Sequence, residues 1–135
     1  MLIDTNVFLE LLLKQGEAQN CLDFLEKVRE GVIRAVVSTF TIDGILIGLE
    51  RHHKNAEIME KFLRSLLGHK GLKIYSPTMT DRTLAIAHMT SGLDYEDALT
   101  LQCALSNNEK EIVSFDKHFD KIKTIKRIQP TLLSE

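Results

Sequence analysis

The chain has 135 residues, 44% of them apolar and 27% charged, which supports one globular domain with a sizeable core and excludes a disordered chain. Its formal charge of −2 gives no compositional reason to expect nucleic acid as a partner, and no apolar stretch approaches the roughly 18 residues a membrane span requires. The N-terminus lacks the basic start and unbroken apolar core of a signal peptide, because Asp4 and Glu10 interrupt it. Cys21 and Cys103 have no CxxC spacing and read as reduced core thiols of a cytoplasmic protein.

In chain order, Met1–Asp4 is apolar before its acid, like a buried strand. Phe8 to Leu13 reads as a helix start, and Cys21, Leu22, Phe24, Leu25 and Val28 form an apolar helical stripe up to Gly31. Val32–Val37 is β-branched and strand-like. Thr41–Leu49 reads as a helix despite Gly44 and Gly48, and Ile58–Leu67 as an amphipathic helix closed by Gly68. Lys73–Tyr75, before Pro77, is a short strand. Thr80–Thr90 is a helix that stops near Gly92, and Asp94 starts another. Ile112–Phe115 and Thr124–Ile128 are strands. Strands alternating with helices favour a parallel sheet covered on both faces, and no repeat or linker divides the chain.

Carboxylates fall at particular places in this scheme. Asp4 ends the first strand and Asp116 ends the strand in IVSFD. Asp94 and Asp97, in LDYEDAL, share a face at a helix start. Ligands of open α/β sheets gather at the carboxyl ends of strands near the switch point. If the first and IVSFD strands are neighbours, Asp4 and Asp116 face each other there. Clustered carboxylates repel one another, and a hard cation such as Mg²⁺ or Mn²⁺ removes that conflict. A site of this kind suits phosphodiester hydrolysis, with one metal or with two roughly 3.5–4 Å apart. Each acid also has a plain structural role open to it. Asp4 and Asp94 can cap helices, Asp97 can complement a helix dipole, and Asp116 can start a turn.

Three short motifs, in order, carry a resemblance. LIDTNVFLELL resembles the opening of PIN-domain proteins, DYEDALTLQCAL their Asp-Ala-Leu helix, and IVSFDKHF their late strand. Among these proteins the chain is similar to the VapC-type ribonuclease toxins, from LIDTN to QP. The resemblance implies a single PIN-like domain over 1–135, a three-layer α/β/α sandwich around a mainly parallel sheet. It also implies metal-dependent endonucleolytic cleavage of RNA. Asp4, Asp97 and Asp116 would help hold Mg²⁺ or Mn²⁺. Asn6 and Ser114 would orient carboxylates or water, and Asp94 would be an optional further acid. An antitoxin protein and a homodimer are the implied partners, the apolar surfaces of Thr41–Leu49 and Ile58–Leu67 being candidates for either contact or for the core.

One position departs from the family pattern. The family Glu expected within STFTIDGILIGLER aligns either with Asp43, which keeps the charge on a shorter arm, or with Gly44, which removes it. A catalytically weak PIN module that binds RNA or a protein partner is therefore the alternative. A metal phosphatase on a similar sheet is disfavoured, because Asp4 is followed by Thr-Asn rather than Asp-x-Asp. His52, His53, His69, His88 and His118 show no zinc spacing. Phe8, Phe24, Phe40 and Phe62 read as core, and Tyr95, beside the acids, reads as packing. The basic run KHFDKIKTIKR reads as a solvated face.

Overall fold

The structure, a computed structural model, describes residues 1–133, so Ser134 and Glu135 of the expected 1–135 domain lie outside the described residues. Strands β1 (Leu2–Ile3), β2 (Ala35–Ser38), β3 (Leu72–Tyr75), β4 (Glu111–Val113) and β5 (Lys126–Ile128) form one sheet in the order β3-β2-β1-β4-β5. Every neighbouring pair is parallel. Six α-helices connect and cover them: α1 (Thr5–Leu12), α2 (Ala18–Arg29), α3 (Thr39–Arg51), α4 (Ala56–Leu67), α5 (Met79–His88) and α6 (Tyr95–Ser106). A 3₁₀ turn over Lys117–Lys121 follows β4.

The two-residue side-chain period of the strands divides the core in two. Ile3, Val37 and Val113 point to the face covered by α1, α2, α3 and α4, among Phe8, Phe24, Ile45 and Phe62. Leu2, Val36 and Ile112 point to the other face, among Ala85, Leu99, Cys103 and Phe119. The result is the three-layer α/β/α sandwich with a parallel sheet. Leu2 pairs with Val36 on one side of β1 and with Ile112 on the other. The chain therefore leaves β1 toward one edge and later returns to its opposite side. That places the switch point at the carboxyl ends of β1 and β4.

Helix boundaries follow their caps. α1 begins at Thr5, ahead of the expected Phe8, because Asp4 accepts a hydrogen bond from the Thr5 backbone N–H. α3 begins at Thr39, ahead of Thr41, with Ser38 as its cap. β2 begins later than expected: the N–H groups of Val32 and Ile33 both donate back to the Lys27 carbonyl and so finish α2. β4 ends at Val113, short of Phe115, because the chain turns at Ser114 into the 3₁₀ segment. Close packing of β2 against β3 requires glycine at 71, where a Cβ would lie 2.2 Å from the Ile33 carbonyl oxygen. In the basic run, Arg127 pairs with Asp120 (Nε to Oδ1, 2.7 Å) and Lys121 Nζ donates to the Gly92 carbonyl at 3.0 Å, so only part of it is a solvated face.

A buried carboxylate fastens β3, α5 and α6 together. Asp81 accepts hydrogen bonds from Tyr75 Oη (2.5 Å), Ser106 Oγ (2.5 Å) and the Thr78 N–H (2.8 Å). Burial opposes its ionisation, but the hydrogen bonds from Ser106, Tyr75 and Thr78 outweigh that and hold its pKa at about 2. Asp81→Ala removes the shared acceptor of three donors, of which those on Ser106 and Thr78 belong to exposed residues that water can reach, and should lower the unfolding free energy by about 2 kcal/mol. Urea titration at pH 7 measures this. A carboxylate with a depressed pKa contributes stability above its unfolded value of 3.8. The difference between wild type and variant should therefore shrink as pH falls from about 4 toward 2.

Candidate active site

The ends of β1 and β4 are locked by side chains. Asp4 is buried directly after β1, and its Oδ1 accepts from the Thr5 N–H at 2.8 Å. Its Oδ2 accepts from Ser114 Oγ at 2.7 Å and from Asn6 Nδ2 at 3.3 Å. Asn6 also donates to Ser114 Oγ at 3.1 Å and accepts from the Phe115 N–H at 3.2 Å. Ser114 Oγ in turn accepts from the Asp116 N–H at 3.0 Å. Asn6 and Ser114 thus fix Asp4 in place and aim the turn that carries Asp116.

The second group of acids comes from α6. Asp94 caps that helix, accepting from the Asp97 N–H at 2.9 Å, and Asp97 lies buried in its first turn. Asp116 caps the 3₁₀ turn by accepting from the His118 N–H at 2.9 Å. This turn folds the His118 ring back over the acids. Its Nδ1 lies 3.1 Å from Asp116 Oδ1 and 3.3 Å from Asp97 Oδ2. An open recess of about 270 Å³ brings together Asp4, Thr5, Asn6, Asp94, Glu96, Asp97, Asp116 and His118. Asp4, Asp94 and Asp116 therefore serve as helix caps and as walls of one recess.

Electrostatics in the recess run against ionisation. Burial, together with the nearby charges of Asp97 and Glu96, pushes Asp4 up to about 6, although Ser114 and the Thr5 N–H pull it down. Burial pushes Asp97 up to about 6 as well, with Asp116 and Asp94 adding repulsion and His118 opposing it. A divalent cation answers this conflict, and the donor set fits one. One donor atom each from Asp97, Asp116 and His118 lie within 4.8 Å of one another.

Asp43 is placed apart from this group. It is exposed on α3 and lines an adjoining recess of about 470 Å³ together with Phe40, Gly44, Ile47, Arg51 and His52. Thr5, Leu9 and Glu96 line both recesses. At Gly44 a Cβ would point at Thr5, 3.7 Å from its Oγ1, so it is position 44 that faces the start of α1. Sequence reasoning did not single out Glu96 or His118. Glu96 sits between Asp94 and Asp97, and His118 two residues beyond Asp116, a spacing that becomes a contact only once the 3₁₀ turn forms.

A parallel α/β/α sandwich with acids at its switch point defines a class of sheet-end binding sites. The PIN domain family matches residues 1–125, and the chain belongs to that family. No curated protein sequence matches it. Solved structures share its fold. A toxin–antitoxin complex from Klebsiella pneumoniae superposes with a TM-score of 0.71 at 18% identity, covering 96% of each chain. VapBC2 from Rickettsia felis, bound to a DNA fragment from its promoter, gives 0.71 at 16% identity over 95% of this chain and 96% of that one. VapC20 from Mycobacterium tuberculosis, a sarcin-ricin loop cleaving toxin, gives 0.73 at 11% identity over 90% and 94%.

The raised pKa of Asp97 has a measurable sign. A carboxyl whose folded value of about 6 stands above its ordinary 3.8 contributes stability below pH 4 and loses it as pH rises through 6. In EDTA, the neutral variant Asp97→Asn should be more stable than wild type at pH 7.5, by up to about 3 kcal/mol, and the two should converge near pH 4. Thermal and urea unfolding across that range measure it. A variant that is less stable at pH 7.5 contradicts the account.

Proposed function

We propose that the chain acts as a single PIN-like domain and a metal-dependent endoribonuclease, hydrolysing RNA phosphodiester bonds as the toxin of a toxin–antitoxin pair. The observation that carries this reading is the meeting of Asp4, Asp97 and Asp116, from three elements of a PIN-family chain, at the switch point of the sheet. The toxin–antitoxin assemblies among its structural neighbours support it.

Asp97 and Asp116, with Asp4 behind them, would hold Mg²⁺ or Mn²⁺. When bound, such an ion supplies Lewis-acid polarisation of a phosphoryl oxygen and a lowered pKa for water. The protein supplies position and charge. Asn6 and Ser114 spend their hydrogen bonds on Asp4 and the Asp116 turn, so the carboxylates arrive preorganised. The anionic recess repels a bare phosphate, which makes entry of the RNA backbone conditional on the cation. Arg51 and His52, in the adjoining recess, offer positive or hydrogen-bonding contacts for flanking phosphates. A fourth acid on this side comes from Asp43 or from Glu96, since Gly44 brings none.

The same reading carries an antitoxin and a homodimer. An apolar groove of about 210 Å³ between α1, α2 and α4, walled by Phe8, Leu11, Leu12, Leu22, Leu25 and Phe62, has the character an amphipathic antitoxin helix needs. The dimer follows from the family resemblance. Cytoplasmic residence suits the two buried thiols, whose pKa burial pushes up to about 12 at Cys21 and about 11 at Cys103. The bare position at Gly44 also favours a second reading, a weak or binding-only PIN module.

Labelled RNA incubated with the protein separates these readings. Cleavage should require Mg²⁺ or Mn²⁺, stop in EDTA, and fall about a hundredfold or more in Asp97→Asn, the loss expected for about 3 kcal/mol of transition-state stabilisation. Asp43→Ala and Glu96→Gln, compared at fixed Mn²⁺, assign the fourth acid to the residue whose loss slows cleavage more. RNA retained without cleavage favours the binding module, and activity that survives both EDTA and Asp97→Asn sinks the proposed site.

A further inference from the structure

We propose that His118 is itself a ligand of the divalent ion, giving the recess a mixed nitrogen–oxygen donor set that selects Mn²⁺ over Mg²⁺. The inference rests on the metal-site reading above and goes beyond it, since that reading assigns the ion to Asp97, Asp116 and Asp4.

The position of the ring has a structural cause. Phe119 is fully buried and anchors the 3₁₀ turn in the core beneath α6, while Asp116 fixes the turn's first N–H groups. Between these two anchors, the His118 side chain emerges 67% exposed, with its Nδ1 edge toward the acids. Its Nδ1 meets the carboxylates of both Asp97 and Asp116. The donor atoms of all three lie within 4.8 Å of one another, the spacing of groups that share an ion.

The chemistry then discriminates between ions. Mg²⁺ is hard, keeps its waters and prefers oxygen, so an imidazole nitrogen adds little to its binding. A first-row transition ion gains from that nitrogen, and Mn²⁺ accepts it while remaining at home with carboxylates. Nδ1 must offer its lone pair, which leaves the Nε2 proton on the solvent side. The rival role for the same geometry is an imidazolium that neutralises the two acids. In that role the ring competes with the ion instead of binding it.

The two roles predict opposite results. The full-length protein, stripped with EDTA and dialysed, is titrated with MnCl₂, with bound ion followed by electron paramagnetic resonance and its ligands by electron spin-echo envelope modulation. Wild type should show ¹⁴N modulation on the bound Mn²⁺, absent in His118→Ala. The variant should bind Mn²⁺ about tenfold or more weakly, with Mg²⁺ affinity, from competition, within about twofold of wild type. Bound Mn²⁺ without ¹⁴N coupling in wild type, or tighter Mn²⁺ binding in the variant, overturns the proposal and establishes the counter-ion role. Failure of the folded wild type to bind either ion instead overturns the metal-site reading on which it rests. The spin-echo result on wild type stands without any variant, so a folding defect in His118→Ala leaves the test intact.

Discussion

The hydrogen bond from Ser114 Oγ to Asp4 Oδ2 is the contact on which the acid-lined recess depends. It ties together two strands that are far apart in sequence and adjacent in space, at the place where the strand order reverses. The β1–β4 ladder brings the strands alongside each other, but its last rung, Asp4 N–H to the Val113 carbonyl, stops short of the side chains that line the recess. Ser114, Asn6 and Asp4 continue the connection in side chains. Because Ser114 also accepts from the Asp116 N–H, the acids that follow β1 and β4 are set by one hydroxyl.

The comparison of Asp4 with Asp81 shows what that end of the fold sacrifices. Both are buried carboxylates with several donors, yet Asp81 settles at about 2 and Asp4 at about 6. At Asp81 the hydrogen bonds outweigh burial, and the charge helps to join β3, α5 and α6. At Asp4 burial outweighs the donors, and Asp97 and Glu96 add repulsion. One buried acid stabilises the scaffold, and the other is held in tension by it. Such tension is characteristic of sites arranged for chemistry or ligand binding rather than for stability. The two well-packed cores, one on each face of the sheet, supply the stability that allows it.

Much of this was legible in the residues. Strand–helix alternation led to the parallel sandwich, because strands buried on both faces read as short apolar runs such as Leu2–Ile3 and Ile112–Val113. Asp4, Asp97 and Asp116 were placed by strand ends and a helix start, which are local features. What escaped was set by turns and by direction. His118 looked like one more scattered histidine until the 3₁₀ turn closed it onto Asp97, 21 residues earlier. Asp43 and Gly44 were both open by sequence, since the family Glu aligns with either. Only the rotation of α3 against α1 distinguishes them, and it aims position 44 at Thr5 and leaves Asp43 in the neighbouring recess.

The capping role of the acids can now be weighed against their role in the recess. Capping asks only for a side-chain oxygen, and Ser, Thr or Asn provides it as well as Asp. The chain uses those neutral residues where a cap is all that is needed: Ser38 before α3, Asn55 before α4 and Thr78 before α5. The three caps that line the recess, Asp4, Asp94 and Asp116, are all acids. Helix starts alone do not account for that division, because an amide at these positions would satisfy the same N–H groups without adding like charges to a partly buried cluster. Negative charge is concentrated where it is electrostatically least comfortable, a cost that the proposed cation would turn into affinity.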